Sequence, residues 1–240
     1  LHTGRIDSPR PASQRAAAFI LTAAMLTTLA APAFADIWHI ENGDITISAG
    51  ESGNNVTQNN NTTYGDTNTI ITNQNKDTAS SHTVTIETND KNDKVEVTLD
   101  NVNIKADSGS ALTSKGDVTL TLKGDNSLTG GNGGSGISSS GSLTISGGEN
   151  DSLTAQGGSG ADGIYSSGSL TISGGTVTAN GGSGGGNGGD GISSTNTTIS
   201  GGSTVTANGG NGGNVSGDGI RSGGVTISGG TVNALSLIHI

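Results

Sequence analysis

The stretch that decides the fold is Ser169–Ala179, which reads Ser-Leu-Thr-Ile-Ser-Gly-Gly-Thr-Val-Thr-Ala. Apolar residues occupy every second position on both sides of the Gly-Gly pair. This alternation is typical of short β-strands that bury one face, and the Gly-Gly pair is a turn signal between them. The stretch therefore predicts two short strands joined at a corner.

The same phrases recur along the chain with a nearly constant period. Gly-Ile begins a unit at Gly136, Gly163, Gly191 and Gly219, with spacings of 27, 28 and 28 residues. One unit cannot bury its apolar side chains alone, but stacked copies can, because each strand then pairs in parallel with its equivalent about 4.8 Å away. The sequence predicts an all-β, right-handed parallel β-helix, a solenoid with coils of about 28 residues.

Both ends of the chain differ from this repeat. Residues 1–35 combine basic residues, an apolar run and the sequence Ala33-Phe34-Ala35, which together predict a secretory signal peptide with no membrane span after its cleavage. Residues 235–240 break the repeat, and we interpret them as a non-native tail. We expect the natural protein to continue past Ala234.

Between these ends the chain divides into two predicted parts of one array. Residues 136–234 form the regular Gly-rich coils. Residues 36–135 form irregular N-terminal coils and a cap, within which Asn54–Asn75 is a polar stretch expected to protrude or to be poorly ordered.

Composition limits the possible functions. The chain has 10 Lys and Arg against 20 Asp and Glu, and this acidic balance argues against a nucleic-acid partner, which needs a basic patch. It has no Cys, so disulfides and thiolate chemistry are excluded. Aromatic residues make up only 2% of the chain, too few for an ordinary globular core.

Four motifs resemble a known family. They are Val95–Ile104, Gly109–Leu112, Asp117–Leu122 and Gly124–Gly131. They resemble the secreted bacterial β-helix proteins called carbohydrate-binding domain proteins, which are non-catalytic relatives of the pectate lyases, over roughly residues 45–234. The resemblance implies polysaccharide binding at a bacterial surface, with Ca²⁺ as a candidate cofactor.

Aspartates precede three of the Gly-Ile pairs and form the candidate metal site. Asp162, Asp190 and Asp218 stack along one edge if the coils are in register. Since neighbouring like charges repel, the chain must either expose them to solvent or place a cation between them, and Ca²⁺ accepts carboxylate ligands in loose geometry. Solvated, unliganded turn aspartates are the alternative.

Two residues beside these aspartates are candidate ligand-binding groups. Tyr165 alternates with an inward Ile and so faces outward, and Arg221 follows the Asp218 turn. A lyase-type reaction needs a cationic base, and Arg221 is the only basic residue after Lys123. We interpret it as a partner of the aspartates and predict that the protein is not an enzyme. His39 and His82 lie in separate predicted coils without a Ser/His/Asp arrangement.

Two other patterns give alternative interpretations. Gly157–Tyr165 and Gly185–Ser193 match the nine-residue Ca²⁺ pattern of β-rolls, although they recur only once per coil. Outward threonines in Thr176-Val-Thr178 and Thr204-Val-Thr206 resemble the arrays of ice-binding β-helices, but Thr is common on any β-surface.

These observations favour a secreted or cell-surface, non-catalytic carbohydrate-binding β-helix whose partner is a polysaccharide or cell-wall glycan, with calcium-assisted binding of acidic polysaccharide as the finer hypothesis. The alternative is a structural or adhesin stalk of a larger surface protein, and a polysaccharide lyase comes third.

Overall fold

The computed structural model describes residues 36–88 and 93–236, which form a parallel β-solenoid of about six turns. The predicted signal peptide, 1–35, lies outside the described residues, as do residues 237–240 of the predicted tail. The described part contains a short 3₁₀ helix, Ile40–Asn42, and no α-helix. In that part, no helix has the length and apolar character needed to cross a membrane.

Strands account for the rest of the regular structure in the described residues. In chain order they are β1 (Ile37–His39), β2 (Ile45–Gly50), β3 (Gly53–Gln58), β4 (Asn61–Asp66), β5 (Ile70–Thr72), β6 (Val84–Glu87), β7 (Lys94–Asp100), β8 (Asn103–Lys105), β9 (Leu112–Lys115), β10 (Asp117–Lys123), β11 (Asp125–Thr129), β12 (Ile137–Ser139), β13 (Leu143–Gly147), β14 (Ser152–Gln156), β15 (Ile164–Ile172), β16 (Thr176–Asn180), β17 (Ile192–Ile199), β18 (Thr204–Asn208), β19 (Ile220–Ser222), β20 (Val225–Ile227) and β21 (Thr231–Leu235).

The parallel strands stack into three faces. Face 1 contains β2, β6, β9, β12, the first halves of β15 and β17, and β19. Face 2 contains β1, β5, β7, β10, β13, the second halves of β15 and β17, and β20. Face 3 contains β8, β11, β14, β16, β18 and β21. Because β15 and β17 run through the corner between faces 1 and 2, these two faces form one sheet.

The predicted alternation places equivalent apolar residues in columns inside the solenoid. Strand pairing is residue to residue, so each inward side chain packs on its counterpart in the next coil. Each fully buried Val, Leu or Ile contributes about 1.5–3 kcal/mol of apolar burial. The buried columns include one on face 1 (Ile137, Ile164 and Ile192), one on face 2 (Ile145, Ile172 and Ile199) and one on face 3 (Leu153, Val177 and Val205).

The polar stretch 54–75, which we expected to protrude or to be poorly ordered, forms strands β3, β4 and β5, and each of them pairs with another strand. Its first half forms the antiparallel hairpin β3–β4, which adds to the edge of β2 and closes the N-terminal end of face 1. The two turn residues, Asn59-Asn60, have φ of 53° and 62°, as a two-residue hairpin turn requires. Val56 is fully buried, and Trp38 Nε1 donates to Asp66 Oδ2 at 3.1 Å.

The corner between faces 1 and 2 contains an inward serine column that the sequence analysis did not predict. The hydroxyls of Ser139 and Ser166, both buried, donate to the carbonyl of Gly141 at 3.1 and 3.0 Å. These two hydroxyls satisfy the carbonyl group of Gly141 at a corner where the chain leaves the strand pairing of face 1. In two coils the chain passes this corner within a single strand, β15 or β17. Leu235, assigned to the tail, instead ends β21 and pairs with Asn208.

Glycines in the loop between faces 3 and 1 are required by close backbone approach. A Cβ on Gly158 would collide with the carbonyl oxygen of Gly131, one on Gly182 with that of Gly158, and one on Gly210 with that of Gly182. The loops of successive coils therefore stack directly on each other, with no space for side chains between them. This stacking sets the spacing of the coils on the side where the aspartates lie.

The glycine column gives a direct stability prediction. Gly182→Ala is expected to lower the free energy of unfolding by about 3 kcal/mol, because the new methyl group must displace backbone rather than a flexible side chain. Urea unfolding followed by circular dichroism measures the change. Gly185→Ala is the matched control, since a Cβ there meets nothing within 4 Å. Equal stability of the two variants would contradict the stacked-loop packing.

Candidate functional site

The three predicted aspartates lie where the Gly-rich loop meets face 1, immediately before β15, β17 and β19. The coils are in register here, so the carboxylates form a column as predicted. The backbone N–H of Asp190 donates to Asp162 Oδ1 at 2.7 Å, and the N–H of Asp218 donates to Asp190 Oδ1 at the same distance. Each of these carboxylates therefore binds the backbone of the next coil.

Burial determines the electrostatics of this column. Asp190 is only 3% exposed, and desolvation raises its pKa despite the N–H of Asp218 and the nearby Arg221 guanidinium, which both favour the ionised form. Desolvation also raises the pKa of Asp162, and the Asp190 charge adds to the increase. Asp162 and Asp190 therefore join successive coils through their carboxylates, whereas the Asp218 side chain is half-exposed.

Arg221, but not Tyr165, contacts the aspartates through a charged or polar atom. Arg221 Nε lies 3.0 Å from Asp190 Oδ2 and 3.3 Å from Asp218 Oδ2. Tyr165 faces outward as predicted, and its ring is exposed. Ser193 separates it from Arg221 in the same outward column of face 1, so the two predicted ligand-binding residues are two coils apart.

The geometry of the column bears on the calcium hypothesis. Asp162 and Asp190 each use one oxygen on a backbone N–H, and the guanidinium of Arg221 lies against the second oxygen of Asp190. Within residues 36–88 and 93–236, no group of three or more His, Asp or Glu side chains is arranged to hold a metal ion. The donor set does not fit a three-carboxylate calcium site, and calcium binding stays a prediction.

A histidine–carboxylate pair was missed by the sequence analysis. His82 Nδ1 lies 3.4 Å from Asp44 Oδ1, and the same oxygen accepts the Thr83 N–H at 2.7 Å. The pair borders an open cleft of about 370 Å³. Spacing could not show it, because Asp44 and His82 belong to different coils. Among the described contacts, no serine hydroxyl bonds to the His82 imidazole.

A second feature missed from the sequence is an open polar groove on the outer side of face 3, with a volume of about 400 Å³. Its floor is made by outward side chains of β8, β11 and β14, which the parallel register places side by side. A loop between β5 and β6 forms its wall. The lining includes Lys76, Asp77, Asn103, Asp125, Ser127, Ser152 and Thr154.

An asparagine network holds the groove wall in place. Asn103 donates its backbone N–H to Asn73 Oδ1 at 2.7 Å and its Nδ2 to the Lys76 carbonyl at 2.9 Å. Asn75 Oδ1 accepts the N–H of Asp77 at 3.1 Å, an Asx-turn that shapes the loop. These contacts fix the Lys76 and Asp77 backbone beside the floor. The outward alternation of Asn103 was predictable, whereas the path of the loop was not.

Comparisons with family models, curated proteins and solved structures returned no match for this chain. The resemblance to the carbohydrate-binding β-helix family therefore stays a prediction.

The raised pKa of Asp162 predicts a pH-dependent change in stability. Because the folded-state pKa lies above the ordinary value of 3.8, the stabilising contribution of this group is complete when it is protonated and is lost as pH rises through the folded-state pKa. Asp162→Asn keeps an oxygen for the Asp190 N–H and removes the charge. We expect it to raise the Tm at neutral pH, with the difference disappearing in acid below 3.8.

Thermal unfolding followed by circular dichroism over a pH series measures this difference. Asp107→Asn is the control, since it removes an exposed carboxylate from a different part of the described chain. A Tm for Asp162→Asn below that of the unmodified protein at neutral pH would contradict the prediction, because it would show that the ionised carboxylate stabilises the column.

Proposed function

We propose that this protein is a secreted or surface-displayed, non-catalytic β-solenoid that binds a polysaccharide along the outer side of face 3. The groove that starts at Lys76 and Asp77 is the observation that carries the proposal. It combines a floor of paired strands with a wall that hydrogen bonds from Asn103 hold in place. The family that this sequence resembles implies polysaccharide binding, which supports the same function.

The groove side chains suit sugar hydroxyl groups. Carboxylate oxygens accept hydrogen bonds, the ammonium group donates them, and hydroxyl and amide groups do both. Asp125 Oδ1 already accepts the Ser152 hydroxyl at 2.8 Å, which orients the carboxylate and leaves its second oxygen for a ligand. Because the floor strands are held in register, these groups are preorganised before a ligand arrives.

Two lysines favour acidic sugar units. Lys76 lines the groove, and Lys105 lies on the same outer side of β8 as Asn103. Both ammonium groups are exposed, and neither is in an ion pair within the described part of the chain. The chain has a net charge of −10, which repels anionic sugars in general. The two exposed ammonium groups at the groove would attract a carboxylated sugar to this surface.

The outer side of face 3 continues from the groove as an uncharged track. Ser127 is followed in register by Thr154, Thr178 and Thr206 in successive coils. A glycan lying along the solenoid axis would meet one hydroxyl about every 4.8 Å. This arrangement supports binding of an extended chain rather than of a single sugar.

A binding assay with matched lysine variants tests the proposal. Retention is measured by affinity electrophoresis in gels containing alginate, polygalacturonate or a neutral dextran, each with Ca²⁺ and with EDTA. Lys76→Met is expected to weaken binding to the acidic polymers about tenfold, as loss of one charge-assisted hydrogen bond predicts. Lys94→Met, which removes an exposed lysine from face 2, should bind like the unmodified protein.

The outcomes separate the candidate functions. Equal loss in both lysine variants would show non-specific attraction and remove the groove as the site. No retention on any polymer would favour the structural or adhesin stalk. Retention that disappears with EDTA and in Asp190→Asn would support the calcium prediction and move the site to the aspartate column.

A further inference from the structure

The groove on face 3 carries charged side chains of both signs. Lys76 and Asp77 stand on its wall, Asp125 lies on its floor, and Lys105 is on the outer side of β8, beside the floor. All four side chains are exposed. We call them the mixed-charge set. Two cations and two anions cancel, so the groove carries no net charge within a strongly acidic chain.

The members of the mixed-charge set do not neutralise one another. In the described part of the chain, no ion pair includes any of them. The Asp77 carboxylate accepts no hydrogen bond there, and Asp125 uses only Oδ1, on the Ser152 hydroxyl at 2.8 Å. Lys123, two residues before Asp125, is in contrast paired with Asp100 at 2.7 Å. The charges of the mixed-charge set are therefore open to a ligand.

The two signs limit the ligands that the groove can accept. A ligand with anionic groups only would bring them toward Asp77 and Asp125, and like charges brought together across an interface repel each other. A ligand with cationic groups only would meet the two lysines in the same way. A neutral ligand would remove water from charged groups without replacing it by opposite charges. A ligand that carries both signs pairs with all four side chains.

The strand register separates the charges on the floor. Lys105 faces Thr129, which lies four residues beyond Asp125 on the same strand. With the usual rise along a strand and spacing between strands, the Cα atoms of Lys105 and Asp125 are about 14 Å apart. This distance is longer than one pyranose ring. Groups that reach both side chains therefore belong to different sugar units of an extended chain.

We infer that the ligand of this groove is a zwitterionic polysaccharide, which carries carboxylate groups on some sugar units and free amine groups on others. The inference rests on the proposed function and specifies its ligand. The lysines of the mixed-charge set bind the carboxylates, and Asp77 and Asp125 bind the protonated amines. An ammonium group donates a charge-assisted hydrogen bond to the open oxygen of Asp125, which is stronger than a bond from a neutral sugar hydroxyl.

A matched pair of polymers tests the inference on the full chain. The first is carboxymethyl chitosan, which has carboxylates and free amines. The second is the same polymer after N-acetylation, which keeps the carboxylates and removes the positive charge of the amines. Retardation in affinity electrophoresis, relative to a polymer-free gel at mildly acidic pH, is expected to show about tenfold tighter binding to the polymer with free amines.

Variants assign this preference to the groove. Asp125→Asn keeps an oxygen for the Ser152 hydroxyl and is expected to weaken binding to the free-amine polymer about tenfold, without weakening binding to the N-acetylated polymer. Lys76→Met is expected to weaken binding to both. Glu96→Gln is the matched control, since it removes an exposed carboxylate from face 2 and should bind like the unmodified protein.

The results distinguish failure of this inference from failure of the proposed function. Equal binding to the two polymers, with a loss on both in Lys76→Met, would overturn the zwitterionic ligand and leave an acidic polysaccharide in the groove. An equal loss on both polymers in Asp125→Asn would also overturn it, because the carboxylate would then accept sugar hydroxyls. No binding to either polymer, to alginate or to polygalacturonate would overturn the proposed function and this inference with it.

Discussion

Residue-to-residue registration between successive coils is the constraint on which the rest of the structure depends. A parallel strand that slipped by one residue would turn its apolar side chains to solvent and its hydroxyls into the core. The Gly-rich loops reinforce the same spacing, since the close approach of Gly158 and Gly182 leaves no room for a side chain between coils. The aspartate column, the serine column and the face 3 groove all result from that registration, because each brings together residues about one period apart.

The repeat was predictable because short sequence features specify it: the apolar alternation around Ile172 and Val177 and the regular recurrence of Gly-Ile. The column formed by Asp162, Asp190 and Asp218 followed from the same period. What that column does was not predictable. Spacing alone could not show that the Asp162 and Asp190 carboxylates each accept the backbone N–H of the next coil, or that Arg221 would lie against Asp190. These details depend on loop conformation at the scale of single hydrogen bonds.

The irregular N-terminal part was harder to predict for a different reason. The hairpin β3–β4 has few apolar residues, and its main signal is the Asn59-Asn60 turn, which also fits a low-complexity polar stretch. The groove wall depends on the Asn73 and Asn103 contacts, which join residues 30 positions apart outside the regular repeat. Side chains that appear as polar filler in the sequence therefore shape both the N-terminal cap and the site to which we assign binding.

The aspartate column and the outer side of face 3 use their polar groups differently, and this difference favours face 3 as the binding surface. At the aspartate column, backbone N–H groups and Arg221 already contact one oxygen of Asp162 and both oxygens of Asp190. In the groove, Lys76 and one oxygen of Asp125 are still available. The groove and the row of hydroxyls beside it exist only if the strands of face 3 pair in register. Interstrand nuclear Overhauser effects between β16 and β18 test this register most directly. The account predicts contacts between Val177 and Val205 and between Thr178 and Thr206, each 28 residues apart, whereas contacts at any other offset would contradict it.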